Sequence, residues 1–153
     1  MATEAENRCR PAARTVQRGS FDLPLAPAAA FDWFTAEGER RWVDGWNPVI
    51  LSPCRGTEPG AVFLTHHGDE QTIWTVIEAD RDAGRLLYSR VSPDRRAGIV
   101  GVRIALAGEG SSITVSYDLT ALSPEGEAAV KAMDEAGFVA MMAEWRRLIR
   151  AAL

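Results

Sequence analysis

The C-terminal stretch of the chain constrains its fold more than any other feature. Ser123 is a favourable N-cap, and Pro124 suits the first helical position, where its missing N–H is not needed. Large apolar residues then recur at steps of three and four: Phe138, Met141, Trp145 and Leu148. The pattern predicts one helix over about 124–152, roughly 43 Å long at 1.5 Å per residue. Its broad apolar face must be covered by another element.

The middle of the chain consists of short apolar runs bounded by turn sequences. The predicted strands cover residues 15–25, 49–52, 61–67, 71–79, 85–92, 99–107 and 112–120. The connections EPG, HGDE, DRDAG, SPDRRAG and GEGSS are too short for parallel crossovers and favour antiparallel neighbours. Two short helices are predicted after the first strand, one opening at Pro27 and broken by Gly38, the second around 39–43.

Alternation in the last two strands gives the predicted sheet two unlike faces. One face of the last strand carries Ile113, Val115, Tyr117 and Leu119, and the strand before it carries Val100, Val102, Ile104 and Leu106. The opposite faces are largely polar, which is typical of an antiparallel sheet covered on one side. The predicted fold class is α+β, with a curved antiparallel sheet of about seven strands around the C-terminal helix.

Composition narrows the class of protein. The 153 residues predict one domain over 14–153, preceded by a disordered lead-in over 1–13 that has no large apolar residue after Met1. A net charge of −4 argues against a nucleic-acid partner, and no run is long and apolar enough for a membrane span. The N-terminus lacks the apolar core of a secretory signal, so a cytoplasmic location is expected. Cys9 and Cys54 are predicted to be free thiols.

Four segments resemble the SRPBCC superfamily, also called START-related or helix-grip proteins. They are GERRWVDGWNPV at 38–49, GAVFLTHHG at 60–68, TIWTVIEAD at 72–80 and YSRVSPDRRAG at 88–98. The resemblance covers residues 14–153 and implies a cavity between the sheet and the long helix, entered near the two short helices. Within the superfamily, the sequence is similar to an uncharacterised bacterial branch near the polyketide cyclases and Hsp90 activators. Because one fold hosts many functions, the resemblance implies a pocket without a mechanism.

Aromatic residues are the first candidates for the wall of that cavity. Trp46 follows the second short helix, Trp74 lies in mid-strand, and Trp145 with Met141 lies on the apolar face of the long helix. Indole rings offer a wide flat surface, and methionine adapts to irregular partners. The alternative for each is plain core packing.

Polar candidates are fewer. Tyr88 and Arg90 are two residues apart and share one face, and an inward Arg90 would need a carboxylate from Glu78, Asp118 or an acidic ligand. The alternative is an outward Arg90 on the solvated face of the sheet. Tyr117 lies on the apolar face, so its hydroxyl is the best candidate for a polar contact in the cavity. His66 and its neighbour His67 point to opposite faces of a strand and do not predict a shared metal ion; one could face the cavity as an anchor or base.

The leading hypothesis is a non-enzymatic binder or carrier of a small hydrophobic molecule. Its candidate ligand-binding residues are Trp46, His66, Trp74, Tyr88, Arg90, Tyr117, Met141 and Trp145. The hypothesis requires a cavity that is large enough for a drug-sized molecule. The alternatives are a polyketide cyclase or aromatase that uses Tyr117, His66 and Arg90, and an Hsp90-activator-like interaction module. No catalytic residue, metal or cofactor is assigned, and a homodimer is possible through the open sheet face or an edge strand.

Overall fold

A computed structural model describes residues 9–53 and 55–153. Within that part, strands lie at Arg14–Leu23 (β1), Val49–Ser52 (β2), Val62–His67 (β3), Glu70–Asp80 (β4), Arg85–Ser92 (β5), Arg96–Ala107 (β6) and Gly110–Ala121 (β7). Helices lie at Pro27–Phe31 (α1), Pro124–Ala132 (α2) and Glu135–Ala152 (α3), with 3₁₀ helices at Asp32–Phe34 and Gly38–Arg41. The strands form one antiparallel sheet in the order β1-β7-β6-β5-β4-β3-β2.

The predicted α+β helix-grip fold is confirmed. Every predicted strand is present, with ends that differ by at most three residues from those expected. The alternation of the last strand is also correct, because all four of its predicted inward residues are buried: Ile113, Val115, Tyr117 and Leu119. Leu106 is the exception on β6, where it is 71% exposed at the end of the strand beyond the covered area.

The single long C-terminal helix was a wrong expectation, because the structure divides it into α2 and α3. Met133 leaves the helical conformation (φ −87°, ψ 44°), and the Asp134 side chain accepts a hydrogen bond from the Gly137 backbone N–H as the N-cap of α3. The Thr15 hydroxyl donates to the Met133 carbonyl oxygen at 2.6 Å, which ties the break to β1. Ser123 and Pro124 do begin the first of the two helices, as expected.

The inner face of the sheet is covered by two different elements. Helix α3 packs on the β1 side through Phe138 and Met142, so closely that a Cβ on Gly19 of β1 would lie 3.0 Å from Phe138 and 3.1 Å from Met142. The segment over 31–46 covers the β3–β5 side, where Tyr88 and Trp74 meet it. The predicted cavity therefore lies under this segment and beside α3.

The segment over 27–46 contains two short helical stretches after the first strand, as predicted, but their ends differ from those expected. Helical structure already ends at Phe34, before Gly38, and Gly38 instead begins the second 3₁₀ helix. A Cβ at Gly38 would lie 1.5 Å from the Asp32 carbonyl oxygen, so this close approach requires glycine. Thr35 bridges the turn, because its hydroxyl donates to the Asp32 carbonyl and accepts from the Gly38 N–H.

Two other expectations concern the ends of the chain and the membrane. Most of the predicted lead-in, residues 1–8, lies outside the described residues, as does Cys54; residues 9–13 have no regular secondary structure, and Cys9 is exposed. None of the helices in the described ranges combines the length and apolar character needed to cross a bilayer.

Candidate functional site

The register of the sheet places four of the predicted site residues on its inner face. Trp74 of β4 lies between Phe63 of β3 and Arg90 of β5. Tyr88 lies next to them along β5, and Tyr117 of β7 follows across β6 in the same row as Tyr88. All four side chains turn to the covered side because alternation along each strand is kept through these positions.

An aromatic group, made of Trp46, Phe63, Trp74 and Tyr88, lies under the 31–46 segment. Phe63 and Trp74 stack with centroids 5.9 Å apart and 7° between their planes. Tyr88 meets both rings edge-on at 6.2 Å. Trp46 contacts Trp74 at 5.8 Å and Phe63 at 6.3 Å, also edge-on. These separations are typical of favourable aromatic pairs, so the group is a well-packed wall.

The polar atoms of this wall already have partners. The Tyr88 hydroxyl donates to the Phe34 carbonyl oxygen at 2.8 Å, and the Trp46 indole N–H donates to the Ala36 carbonyl at 2.7 Å. The Trp74 indole N–H donates to the Thr65 hydroxyl at 2.9 Å. The Tyr88 bond fastens the 31–46 segment to the sheet, the Trp46 bond lies within that segment, and the Trp74 bond joins β4 to β3. Tyr88 and Trp74 therefore have fixed positions and no free donor for a ligand.

The predicted residues of α3 lie against a different part of the interior. Trp145 is partly buried and packs edge-on against Trp42 at 5.2 Å and Tyr117 at 6.2 Å. Met141 is partly buried against the same core. The structure therefore places Trp145 against Tyr117, apart from the aromatic group, which lies under the 31–46 segment.

The interior cavity is much smaller than expected. Its volume is about 20 Å³, which is room for one water molecule. Its lining consists of the aromatic group and three residues of the covering segment: Phe34, Ala36 and Glu39. The expectation of a preformed cavity for a drug-sized molecule is wrong for this conformation, because aromatic side chains fill the space. Trp46 is the one member of the aromatic group that is not fully buried.

Glu39 was not among the predicted site residues, yet its carboxylate lines the cavity. It lies on the second 3₁₀ helix, in a stretch of charged residues (GERR) that looks like a solvated surface in the sequence. Burial raises the pKa of Glu39 to about 8, and the positive charge of Arg90 opposes part of that rise. No hydrogen bond or ion pair to its carboxylate is present within residues 9–53 and 55–153. At neutral pH this group is mostly a protonated acid.

Arg90 points inward, and neither of the two protein carboxylates expected to pair with it does so. Its guanidinium lies over the Trp74 ring, 5.0 Å from the centroid, and burial lowers its pKa. The nearest carboxylate belongs to Glu70, 3.9 Å away. The two expected protein partners are engaged elsewhere, since Glu78 pairs with Arg85 and Asp118 with Arg14.

Tyr117 is buried on the inner face as expected, packed edge-on against Phe138 at 5.6 Å. Burial raises its pKa to about 12, while Arg90 and Arg96 oppose that rise. Burial also raises the pKa of Tyr88, with a further contribution from the charge of Glu39. Both phenols therefore stay protonated at neutral pH and can only donate or accept hydrogen bonds in neutral form.

His66 does not join these residues. It is exposed on the outer face of β3, because the buried residues of that strand are Phe63 and Thr65. Across the described ranges, no three histidine, cysteine or acidic side chains come together as metal ligands. Of the predicted residues, Trp46, Trp74 and Tyr88 line the cavity, together with Glu39, which was not predicted. Arg90 lies over Trp74, and Tyr117 lies against Trp145.

Comparison with known structures finds the same fold in distant proteins. The ginseng major latex-like protein 151 from Panax ginseng superposes with a TM-score of 0.66 and 11% identity, covering 91% of this chain and 97% of that one. Norcoclaurine synthase from Thalictrum flavum gives 0.63 and 12%, covering 91% and 88%. The Mll3558 protein from Rhizobium loti gives 0.59 and 16%, covering 88% and 99%. No family model matches the chain, and no curated protein matches it by sequence.

These likenesses establish the fold that the sequence resemblance implied. The chain has the same helix-grip fold as these proteins over nearly its whole length. At 11–16% identity the shared fold carries no substrate or reaction from one protein to another.

Proposed function

We propose that this protein binds a small, flat, largely apolar molecule, which enters the interior by displacing Trp46. The supporting observation is the contrast between Trp46, which is only partly buried, and the stacked Phe63–Trp74 pair beneath it, which is buried. The Phe63–Trp74 pair offers aromatic surface beneath the partly exposed Trp46 ring. A flat aromatic ligand can take the place of that ring with little loss of contact.

The attachment of Trp46 is compatible with such a displacement. One indole hydrogen bond, to Ala36, and two edge contacts, to Phe63 and Trp74, hold the ring. The preceding residue, Gly45, has φ +72° and open space around its Cα, so the loop can change direction there. In the open state the Trp46 ring has left the cavity. The observed affinity of a ligand that needs this state is its affinity for the open state reduced by the fraction of molecules that are open.

Isothermal titration calorimetry with 2-naphthylmethanol tests this proposal. Wild-type protein should bind the alcohol, and Trp46→Ala should bind it about tenfold more tightly, since the ligand no longer competes with the indole. Leu106→Ala, at an exposed site on β6, is the control and should match wild type. The proposal fails if neither wild type nor Trp46→Ala binds the probe. Native mass spectrometry beside a denatured control would identify any molecule that is purified with the protein.

Glu39 supports a second candidate, a cyclase-like enzyme that moves protons on a carbonyl substrate. A carboxyl with a pKa of about 8 in an enclosed site is well matched to acid–base catalysis near neutral pH. The test is deuterium exchange into a model 1,3-dicarbonyl compound, followed by NMR. Exchange above the buffer rate that rises through about pH 8 and is lost in Glu39→Gln would support this candidate. A buffer-level rate for wild type would eliminate it.

A further inference from the structure

The interior contains a guanidinium without a hydrogen-bonding partner. The Arg90 side chain is only 12% exposed, and it makes no hydrogen bond to any group within residues 9–53 and 55–153. Its Nε is fully enclosed and unpaired, and the Nε of Arg96 is in the same condition. Buried donors are nearly always satisfied in folded proteins, and charged donors most of all. Two neighbouring strands thus each carry a buried guanidinium donor that has no acceptor within residues 9–53 and 55–153.

The charges around Arg90 and Arg96 also favour an anionic partner. Two arginines and one acid lie together on the inner face of three strands: Glu70 on β4, Arg90 on β5 and Arg96 on β6. We call these three residues the basic group, because the positive charges outnumber the negative one. Glu70 Oε1 accepts from Arg96 Nη2 at 2.8 Å but is 3.9 Å from Arg90 Nη2. Arg95 is also near Glu70, at 4.0 Å, but it bonds the exposed Asp69 at 3.0 Å. One interior carboxylate thus serves two buried guanidiniums, which leaves an excess positive charge.

Glu39, the other acid of the interior, does not cancel this excess. Its raised pKa keeps it largely uncharged at neutral pH. A protonated carboxyl is a hydrogen-bond donor, as is the hydroxyl of Tyr117, whose burial keeps it protonated. The unpaired groups of the interior therefore offer donors and positive charge, which is the chemistry that recognises an anion.

We infer that the interior accepts the carboxylate of an aromatic acid, with Arg90 and Arg96 holding the carboxylate and the ring lying against the Phe63–Trp74 pair. This inference rests on the proposed function and specifies its ligand. A guanidinium presents parallel N–H groups that match the two oxygens of a carboxylate. Arg90 lies over Trp74. If the carboxylate of an aromatic acid binds Arg90, the ring of that acid therefore lies within reach of the aromatic group.

A matched pair of probes tests the inference separately from the proposed function. Calorimetry at about pH 6.5, where an aromatic carboxylic acid is ionised, compares 2-naphthoate with 2-naphthylmethanol, which has the same rings and no charge. Wild type should bind the carboxylate roughly tenfold more tightly than the alcohol, as expected for charged hydrogen bonds that form in an enclosed site.

Substitutions at two positions of the basic group should change that ratio in opposite directions. Arg90→Met should bring the two affinities within about twofold by weakening only the carboxylate, and Arg90→Lys should fall between Met and wild type. Glu70→Gln should raise carboxylate affinity, because it removes the competing negative charge. A merely structural role for the cluster would instead weaken both probes equally in every variant. Arg103→Met, on the outer face of β6, is the control, and circular dichroism verifies folding.

The outcomes distinguish the two proposals. Equal affinities for the two probes in wild type, or an equal loss of both in Arg90→Met, would overturn the anion site and leave the binder intact. If Glu70→Gln raises the affinity for neither probe, that result would also count against the anion site. If wild type and Trp46→Ala bind neither probe, both the binder and its carboxylate specificity are overturned.

Discussion

Two groups on the same inner face of the sheet differ in how completely their polar atoms are paired. In the aromatic group the three polar tips of Trp46, Trp74 and Tyr88 all have partners within 2.9 Å. In the basic group, one register position away, Arg90 makes no hydrogen bond within residues 9–53 and 55–153, and Arg96 Nε has no partner there. The Tyr88 bond holds the covering segment on the sheet, whereas unpaired buried donors cost stability.

The largest expected effect separates a buried indole, Trp42, from a partly buried one, Trp46. Trp42 is buried between Phe34 and Trp145, while Trp46 is partly exposed over the cavity, and both indoles donate to the same covering segment. Trp42→Ala should lower the free energy of unfolding by about 3–5 kcal/mol, and Trp46→Ala by less than half as much. Urea denaturation of the two variants measures this. Equal losses would mean that Trp46 is part of the core and not a displaceable wall.

The next effect is a pH dependence that originates from Glu39. Its folded pKa of about 8 lies above the ordinary value of 4.5, so the folded state binds the proton more tightly than the unfolded state. This contribution to stability is fully present below about pH 4.5 and is lost as the pH rises through about 8, at up to roughly 1.4 kcal/mol per pH unit.

Glu39→Gln should remove this slope, because the amide stays neutral. Denaturation curves between about pH 5 and 8.5 compare it with wild type, with Glu37→Gln on the exposed surface as the control. The other charged or titratable groups near Glu39 are Arg90, Tyr88 and Tyr117, none of which changes charge in that range. An unchanged slope in Glu39→Gln would assign the pH dependence to another group.

The smallest effect compares two buried tyrosines that lie in one row of the sheet. Tyr88→Phe removes the hydroxyl bonded to the Phe34 carbonyl and should cost about 1–2 kcal/mol, since the carbonyl is left unpaired. Tyr117→Phe should cost no more than about 0.5 kcal/mol, because its hydroxyl makes no bond to residues 9–53 or 55–153. Thermal unfolding of both variants tests the difference, and a reversed order would contradict the pairing observed here.

Much of the fold was predictable because its signals are local. Turn residues and alternation gave every strand to within three residues, and Ser123 with Pro124 gave the start of α2. The break before α3 also had a local signal, since Asp134 is a good N-cap three residues before Gly137. The start signals at Ser123 and Pro124 and the apolar periodicity after the break favoured one continuous helix over this cap.

The sequence by itself determined the strands of the sheet and the alternation that gives it two faces, because strand periodicity depends only on neighbouring positions. It also put Tyr88 and Arg90 on one shared face. Only the tertiary structure decided that this face is the inner one, that Glu70 is the nearest acid to Arg90, and that Glu39 reaches the cavity. Those outcomes depend on how the 31–46 segment docks and on which charges burial brings together, and no local pattern encodes either.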